Sequence, residues 1–320
     1  MKDAICFSKT VYYDEMSNEN IKFAFFGSSR FSVIVLDELE MAGFVPECVV
    51  TVPDKPTGRK MKITPTEVKK WAQKRNIKIY APERLSIAKD GSRPNGKAAQ
   101  NAAGEFSEEL AKENCEVFIV ASYGKIIPSN IIKIPPRRTL NVHPSLLPKY
   151  RGASPLQSVI IADDKNTGVT VIEIDEQMDH GPIVAQEKIS INEWLPYEEF
   201  EEKMARAGGV LLSRILPDWI AGNIAAVEQD HFAATYTKKI AKEDGLIDLN
   251  GDPYLNFRKI QAYHEWPQTY FFAEKGDRKI RVKVARASFK DGKLFIEAVV
   301  PEGRKEMPYC SFRQSFGSGY

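Results

Sequence analysis

One short stretch of the sequence concentrates residue types that carry out chemistry. It reads NVHPSLLPKYRG over residues 141–152 and places Asn141 two positions before His143. Side chains two positions apart on a strand lie on the same face of the sheet. An amide donor beside an imidazole can stabilise a developing oxyanion and transfer a proton. A buried histidine that only caps a turn is the alternative that these residues leave open.

Pro144 predicts where this polar pair lies in the fold. A proline favours an extended backbone at the preceding residue and cannot donate a hydrogen bond to a neighbouring strand. The strand predicted over residues 139–143 should therefore end at His143. Ligands of open α/β sheets bind outside the carboxyl ends of the strands, so this position favours a binding site.

A second polar cluster follows the apolar run at residues 169–174. It reads DEQMDHGP and covers residues 175–182. Asp179 in this cluster can pair with His143, orient its ring and stabilise its cationic form. An acidic turn without a catalytic role is the alternative. No metal is expected, because no standard zinc spacing fits the possible ligands His143, Asp175, Asp179 and His180.

Two common mechanisms find little support in the sequence. The stretch Gly27-Ser28-Ser29 separates a predicted strand from a predicted helix, but it lacks the further glycines of a dinucleotide-binding turn. Ser145 lies in no GxSxG elbow, which is the setting of an acylated serine in many hydrolases. Nicotinamide-dependent oxidoreduction and serine hydrolysis are therefore disfavoured.

The elements that must position these residues alternate between strands and helices. Apolar runs and helical spacing predict strands at 21–26, 48–52, 77–80, 117–121 and 139–143, and helices at 31–41, 66–75, 105–114 and 198–220. A basic loop rich in proline and glycine at 53–65 and a polar insertion at 89–104 lie between them. Alternating strands and helices predict an α/β, Rossmann-like fold with a mostly parallel sheet.

The pattern changes after residue 220. Residues 279–287, KIRVKVARA, alternate basic and apolar side chains, which is typical of a half-exposed antiparallel sheet or a small barrel. We expect two domains of different class, together with an N-terminal extension and a linker. These are an N-terminal extension at 1–20, a catalytic domain at 21–220, a linker at 221–236 and a C-terminal β domain at 237–320.

The composition is that of a reduced globular protein. The chain has 320 residues, 45 Lys+Arg against 43 Asp+Glu, and 4 cysteines that form no CxxC pair. No apolar run approaches the ~18 residues of a membrane span, and the N-terminus has the features of neither a signal nor a transit peptide. We expect a cytoplasmic protein without disulfides.

The small net charge of +2 conceals an uneven distribution. Residues 238–320 hold 16 Lys+Arg against 11 Asp+Glu, whereas residues 1–237 hold 29 against 32. Lys279, Arg281 and Lys283 alternate along one predicted strand, whose face can therefore meet phosphate groups. The basic side chains of the 53–65 loop either are solvated or contact phosphate, and they are Lys55, Arg59, Lys60 and Lys62.

Several stretches together resemble the folate-dependent formyltransferases. NVHPSLLPKYRGASP at 141–155 and DEQMDHGPI at 175–183 resemble the signature of that superfamily. The basic loop and the C-terminal domain resemble the methionyl-tRNA formyltransferases rather than the shorter glycinamide ribonucleotide formyltransferases. Further matching stretches are FFGSSRFSVIVLDEL, VVTVPDKPTGRKMKITPTEVKKWAQ, VASYGKIIP, TYTKKIAKEDGLIDL and VPEGRKEMPYCSF, so that the resemblance covers residues 21–313.

The resemblance implies roles for individual residues. Asn141, His143 and Asp179 match the catalytic trio of the family. The positions that match its folate-binding segments are Ser145, Leu146, Leu147, Pro148, Tyr123, Gly124 and Ile126. Arg59 matches a position associated with the acceptor end of the initiator tRNA, and the neighbouring or C-terminal basic residues expected to contact tRNA are Lys60, Lys62, Lys279 and Arg281.

The resemblance also implies an activity and its partners. A formyl group would pass from 10-formyltetrahydrofolate to the α-amino group of initiator methionyl-tRNA, in a monomer whose C-terminal domain is an OB-like barrel that binds tRNA. Formylation of an amino sugar nucleotide by the same trio is one alternative. A catalytically silent RNA-binding protein is another, although binding alone has no use for the trio.

Overall fold

The computed structural model describes residues 21–57, 61–85, 105–275 and 278–316. Two expected features, the N-terminal extension at 1–20 and the insertion at 89–104, lie outside these ranges. No helix in the described ranges is long and apolar enough to cross a membrane.

The first part of the chain is an α/β layer structure. Its strands are β1 (Phe23–Phe26), β2 (Cys48–Val50), β3 (Lys55–Thr57), β4 (Lys62–Thr64), β5 (Lys78–Tyr80), β6 (Val117–Val120), β7 (Thr139–His143), β8 (Arg151–Gly152), β9 (Asn166–Glu173) and β10 (Ile183–Ser190). Its helices are α1 (Arg30–Met41), α2 (Glu67–Lys74), α3 (105–111), the single turn α4 (Ser129–Ile132), α5 (Pro155–Ala162) and α6 (Tyr197–Ala221).

Seven of these strands form the central sheet, in the order β10-β9-β7-β6-β1-β2-β5. The five strands from β7 to β5 pair in parallel, and this confirms the mostly parallel sheet predicted from the alternating elements. β9 pairs antiparallel with β7, and β10 pairs antiparallel with β9. These two strands therefore extend the sheet on the side that carries the predicted polar residues.

The central strands are apolar because both faces of the sheet are covered. In β1, Phe25 points into a core shared with α1, α2, α5 and α6, whereas Phe26 points into a second core on the opposite face. Both phenylalanines are fully buried. Alternation of side chains along a strand sends neighbours to opposite faces, so a continuous apolar run is what a sheet covered on both faces requires.

The basic loop contains more regular structure than its sequence indicates. The loop predicted at 53–65 includes the antiparallel hairpin β3–β4, in which Lys55 is paired with Thr64. A proline at the edge of a sheet sacrifices no buried hydrogen bond, so Pro56 is compatible with this two-stranded hairpin. Lys62 is exposed on β4, and Arg59 and Lys60 lie outside the described residues.

The last part of the chain is a smaller antiparallel structure with its own core. The strand β11 (Tyr236–Thr237) precedes it, and its own elements are α7 (Pro253–Ala262), β12 (Tyr270–Lys275), β13 (Arg278–Lys290), β14 (Lys293–Pro301), β15 (Met307–Pro308) and α8 (Tyr309–Phe316). Four strands form a sheet in the order β12-β13-β14-β15. The strand predicted at 279–287 lies within β13, and its apolar members Val282 and Val284 are buried as the alternation predicts.

The connecting segment at 221–236 is packed against the central sheet. Val227 exchanges two backbone hydrogen bonds with Ile183, of 2.7 and 2.8 Å. The strand β11, which begins at the end of this segment, pairs in parallel with β8. Helix α7 adds another connection, since the Tyr254 hydroxyl donates to Asp163 Oδ1 at 2.9 Å.

Candidate active site

A cavity of about 550 Å³ lies beside the carboxyl ends of β6 and β7. Its walls come from β6 and the loop after it, from β7, from the first turn of α5 and from the turn that joins β9 to β10. Asn141, His143 and Asp179 all line this cavity. The structure thus brings together the three residues that the sequence nominates for catalysis.

Strand β7 presents the first two of these residues. Asn141 is paired with Ile172 of β9, and His143 is paired with Thr170. β7 ends at His143, as Pro144 predicts. His143 is only 4% exposed, so its ring is held almost completely within the protein.

The hydrogen bond of His143 determines where its ring carries a proton. Nε2 lies 3.0 Å from the carbonyl oxygen of Tyr150. A carbonyl oxygen only accepts, so Nε2 carries the proton and donates it. In the neutral ring Nδ1 is then unprotonated, and it is the atom that can accept a proton during a reaction.

Asp179 faces this second ring nitrogen. Its Oδ1 lies 3.5 Å from Nδ1 of His143, and its Oδ2 accepts a hydrogen bond of 2.8 Å from the backbone N–H of Gly152. The carboxylate is therefore oriented by the backbone and stabilises positive charge on the ring.

The backbone around Asp179 is unusual. Asp179 has a φ of +52°, in the left-handed region, where a non-glycine residue costs about 1 kcal/mol or more. Two residues later, a Cβ on Gly181 would lie 1.9 Å from the carbonyl oxygen of Glu173. Only glycine fits there, and this close approach turns the chain so that Asp179 returns to His143.

A further hydrogen bond fixes the same turn. His180 Nδ1 lies 2.6 Å from Oδ2 of Asp175. The His180 ring also stacks on the ring of His231, with 4.0 Å between the centroids and 5° between the planes. The turn that carries Asp179 is therefore in contact with the connecting segment at 221–236.

The residues predicted to bind folate occupy two different places. Tyr123, Gly124 and Ile126 line the cavity in the loop after β6. The four predicted residues that are absent from the cavity wall are Ser145, Leu146, Leu147 and Pro148. Ser145 is fully buried, and its hydroxyl donates to the Lys149 carbonyl at 2.7 Å.

Tyr123 is the lining residue with the clearest unused hydrogen-bonding capacity. Its side chain is buried, and its hydroxyl has no hydrogen-bond partner among the described residues. Burial also raises the pKa of this phenol above its ordinary value. A buried polar atom without a partner is uncommon, and this hydroxyl is shielded from solvent although other atoms of Tyr123 line the cavity.

Sequence reasoning did not single out Tyr197 and Glu201, which also line the cavity from the start of α6. The Tyr197 hydroxyl donates to Glu201 Oε1 at 3.2 Å. Burial raises the pKa of Glu201, although the Tyr197 hydroxyl and the Arg30 guanidinium act in the opposite direction. No local pattern could have found these residues, since they look like ordinary members of an amphipathic helix.

The predicted basic face of the C-terminal sheet is present on β13. Lys279 Nζ lies 4.7 Å from the ring centre of Phe272, and the Arg281 guanidinium lies 3.7 Å from that of Tyr270. Such cation–π contacts hold the cationic groups over aromatic rings of β12. Phe272 is 40% exposed, so this surface offers aromatic as well as charged groups to solvent.

The described residues contain no group of three or more His, Cys, Asp or Glu side chains that could hold a metal ion. Within those ranges, the set of His143, Asp175, Asp179 and His180 divides into two His–Asp pairs. The Nδ1–carboxylate distance is 3.5 Å in the His143–Asp179 pair and 2.6 Å in the His180–Asp175 pair.

Comparison with known proteins first defines the class. The profile described as formyl transferase matches residues 20–216, which include the central sheet and the whole cavity wall. The fold and the cavity thus define a formyl transferase, and the chain belongs to that family.

More specific similarity extends beyond the region that this profile covers. A methionyl-tRNA formyltransferase of Sulfurihydrogenibium sp. is 36% identical over 266 residues, covering 83% of this chain and 80% of the relative. Within the family, the chain therefore groups with the methionyl-tRNA formyltransferases.

Solved structures support the fold. A methionyl-tRNA formyltransferase from Clostridium thermocellum has a TM-score of 0.55 at 15% identity, covering 90% of this chain and 99% of that one. A 4-N formyltransferase from Francisella tularensis has a TM-score of 0.58 at 16% identity, covering 85% and 100%. The fold is therefore shared by formyltransferases with different names, and it does not by itself identify the acceptor.

Proposed function

We propose that the protein transfers a formyl group from 10-formyltetrahydrofolate to the α-amino group of initiator methionyl-tRNA. The observation that carries the proposal is the convergence of Asn141, His143 and Asp179 on one cavity, in a chain that groups with the methionyl-tRNA formyltransferases.

The cavity fits a folate-derived formyl donor. Much of its wall is apolar and includes Val120, Ile127 and Ile172, which suits an aromatic ring system. We assign Tyr123, Gly124 and Ile126 to the donor site, and Ser145, Leu146, Leu147 and Pro148 to a segment that supports the site from behind.

The reaction exchanges one C–N bond for another. A bond forms between the amino nitrogen and the formyl carbon, and the bond between that carbon and N10 of the donor breaks. The amino nitrogen loses a proton and N10 gains one, so atoms and charges balance. No covalent enzyme intermediate is required, which agrees with the absence of a GxSxG elbow in the sequence.

The three polar residues divide the remaining tasks. The amide of Asn141 donates to the oxyanion that develops on the formyl oxygen. Nδ1 of His143 accepts the proton from the attacking amine, and its cationic form returns a proton to the departing nitrogen. Asp179 holds the His143 ring in place and stabilises its positive charge while the ring carries the extra proton.

We assign tRNA binding to two basic regions, one in the 53–65 loop of the catalytic domain and one on the C-terminal sheet. The proposed groups are Lys279 and Arg281 on β13, Lys62 on β4, and Arg59 and Lys60 in the same loop. Basic and aromatic side chains together suit phosphate contacts and stacking with bases. We also infer domains at 21–220 and 237–320, with the four-stranded C-terminal sheet forming part of an OB-like barrel.

The experiment that tests the function is formylation of charged initiator tRNA with 10-formyltetrahydrofolate as donor. Wild-type protein should give N-formylmethionyl-tRNA, and Asp179→Asn should give much less under the same conditions. Amino sugar nucleotides serve as competing acceptors.

Two outcomes would overturn the proposal. Formylation of the sugar acceptor alone would assign the enzyme to the alternative of amino sugar nucleotide formylation. Binding of tRNA without any formyl transfer would assign it to RNA binding without catalysis. Near-native activity in His143→Ala would contradict the assigned catalytic role of that residue.

A further inference from the structure

The connecting segment at 221–236 contributes a buried side chain to the turn that carries Asp179. Gln229 is only 5% exposed. Its Nε2 donates to the backbone carbonyls of Asp179 and Gly181, at 2.9 and 2.7 Å. One amide group therefore holds the peptide carbonyls on both sides of His180.

Arg151 fixes the other end of the same amide. Its Nε and Nη2 donate to Gln229 Oε1 at 3.2 and 2.6 Å. Arg151 is 1% exposed, although it carries a full charge. A forked pair of hydrogen bonds to one oxygen determines which end of the Gln229 amide faces the turn, since the guanidinium only donates.

These contacts explain how an unfavourable backbone conformation is maintained. Asp179 is in the left-handed region, and such residues persist when surrounding contacts over-determine them. Gln229 supplies contacts to the backbone of the turn, and the Gly152 N–H supplies one to the carboxylate itself. Arg151 and Gly152 are neighbours in β8, so both contacts are anchored in the same strand.

The connecting segment also supports the His143 side of the pair. Gly152 and Arg151 pair with Thr237 and Tyr236 of β11. The Tyr150 N–H donates to the Thr235 hydroxyl at 2.8 Å, and it is the Tyr150 carbonyl that accepts from His143. Both members of the His–Asp pair thus rest on backbone that this segment holds.

We propose that Gln229 and Arg151 are positioning residues, which hold Asp179 opposite Nδ1 of His143 and make the connecting segment part of the active site. The inference rests on the proposed function for its kinetic consequences, because the reaction assayed is formyl transfer. Its geometric part is independent of the acceptor and concerns only the relation of Asp179 to His143.

The most informative variant is Gln229→Glu. The new carboxylate can still accept from Arg151 and forms an ion pair with it, so the fold is retained. It cannot donate to the carbonyls of Asp179 and Gly181, and its charge repels those oxygens. A small displacement of a catalytic group can lower the rate by about 10²-fold.

We expect Gln229→Glu to lower kcat by about tenfold to hundredfold, with little change in the KM for either substrate and a lower melting temperature, because two buried carbonyls lose their donor. The control is Thr139→Val, which removes a buried hydrogen bond of 2.8 Å to the Ile132 carbonyl at the opposite end of β7. This control should lower the melting temperature and leave kcat unchanged. An unchanged kcat in Gln229→Glu would overturn the proposal.

A spectroscopic measurement separates this proposal from the proposed function. The chain has four histidines, so the ring nitrogen signals of His143 can be assigned by their disappearance in His143→Asn. If Gln229 positions Asp179, the His143 signals of Gln229→Glu should shift toward those of Asp179→Asn. Unshifted signals would contradict the positioning role, whether or not the wild type formylates methionyl-tRNA.

Discussion

The central sheet and the C-terminal sheet use polar residues in opposite ways. The central sheet is buried on both faces and brings a few polar side chains to one cavity at its edge. The C-terminal sheet has one buried face, and it spreads Lys279, Arg281 and aromatic rings over the other. The first arrangement has the fixed geometry that catalysis needs, whereas the second is an extended basic surface, to which we assign tRNA binding as a proposal.

The largest effect should come from the small C-terminal core. Phe312 is fully buried there, in contact with Phe271 and Phe316. Truncating a buried phenylalanine costs about 3–5 kcal/mol, which is comparable to the whole stability of a small unit. Phe312→Ala should therefore unfold the C-terminal sheet while the central sheet stays protected, as measured by amide hydrogen exchange.

The matched variant is Phe200→Ala, which truncates a fully buried ring of α6 in the larger core. It should destabilise the central sheet, whereas the amide hydrogens of β12–β14 should still exchange slowly. Simultaneous loss of protection in both sheets of Phe312→Ala would mean that the two regions unfold as one cooperative unit.

The next largest effect should be on chemistry. Asn141→Ala removes the proposed oxyanion donor, and kcat for formyl transfer should fall by about 10²–10³-fold. Asn256→Ala removes a buried amide of the C-terminal region, whose Nδ2 donates to the Asp248 carbonyl at 2.6 Å. That variant should be less stable but should keep its kcat, measured at saturating substrates. Equal losses of kcat in both variants would contradict the conclusion that catalysis depends on the cavity of the central sheet and not on the C-terminal region.

A smaller effect should follow from removing one charge of the exposed basic face. Lys279→Ala should raise the KM for tRNA by about threefold to tenfold at 0.1 M salt. The slope of log affinity for tRNA against log salt concentration should become shallower by roughly one, because one phosphate contact is lost. kcat should be unchanged. The matched control is Lys188→Ala, an exposed lysine of β10 on the central sheet. A similar rise in KM for both variants would show that tRNA responds only to total charge.

The smallest effect concerns Glu201 in the cavity. Burial raises the pKa of this carboxyl in the folded state above its ordinary value of 4.5. At pH values between the unfolded-state pKa and the folded-state pKa, the folded protein therefore binds more protons than the unfolded chain. Stability therefore falls as the pH rises through this interval. Glu201→Gln should raise the melting temperature by about 1–3 °C at pH 8 and change it little at pH 4. A larger gain at pH 4 than at pH 8 would have the wrong sign.

The sequence predicts the elements of the catalytic region well for local reasons. The apolar run and Pro144 define β7 at 139–143, and helical spacing predicts α6 within one residue at each end. It misses the β3–β4 hairpin, because prolines and glycines in residues 53–65 are equally typical of an irregular loop. Patterns within a short stretch of sequence therefore predict an element when residues near each other in the sequence determine its structure.

The relation of the connecting segment to the site is a long-range property. Gln229 and Asp179 are 50 residues apart in the chain, and their contact depends on pairing between β8 and β11. Residues 221–236, AGNIAAVEQDHFAATY, follow the predicted end of the long helix and contain many small apolar side chains, but they show neither helix nor strand periodicity, so the sequence suggests a linker. Their polar side chains instead satisfy backbone groups elsewhere, and hydrophobic periodicity cannot reveal such contacts.

Helix α5 connects the cavity to helix α7 through its two ends. Its first turn, at Pro155 and Leu156, forms part of the cavity wall. Near its other end, the carbonyl of Ile161 accepts a hydrogen bond of 2.6 Å from Arg258 of α7. An eight-residue helix is a stiff rod of about 12 Å. The wall of the cavity and helix α7 are therefore joined by one short, stiff element, which ties the position of the cavity wall to the packing of the C-terminal region.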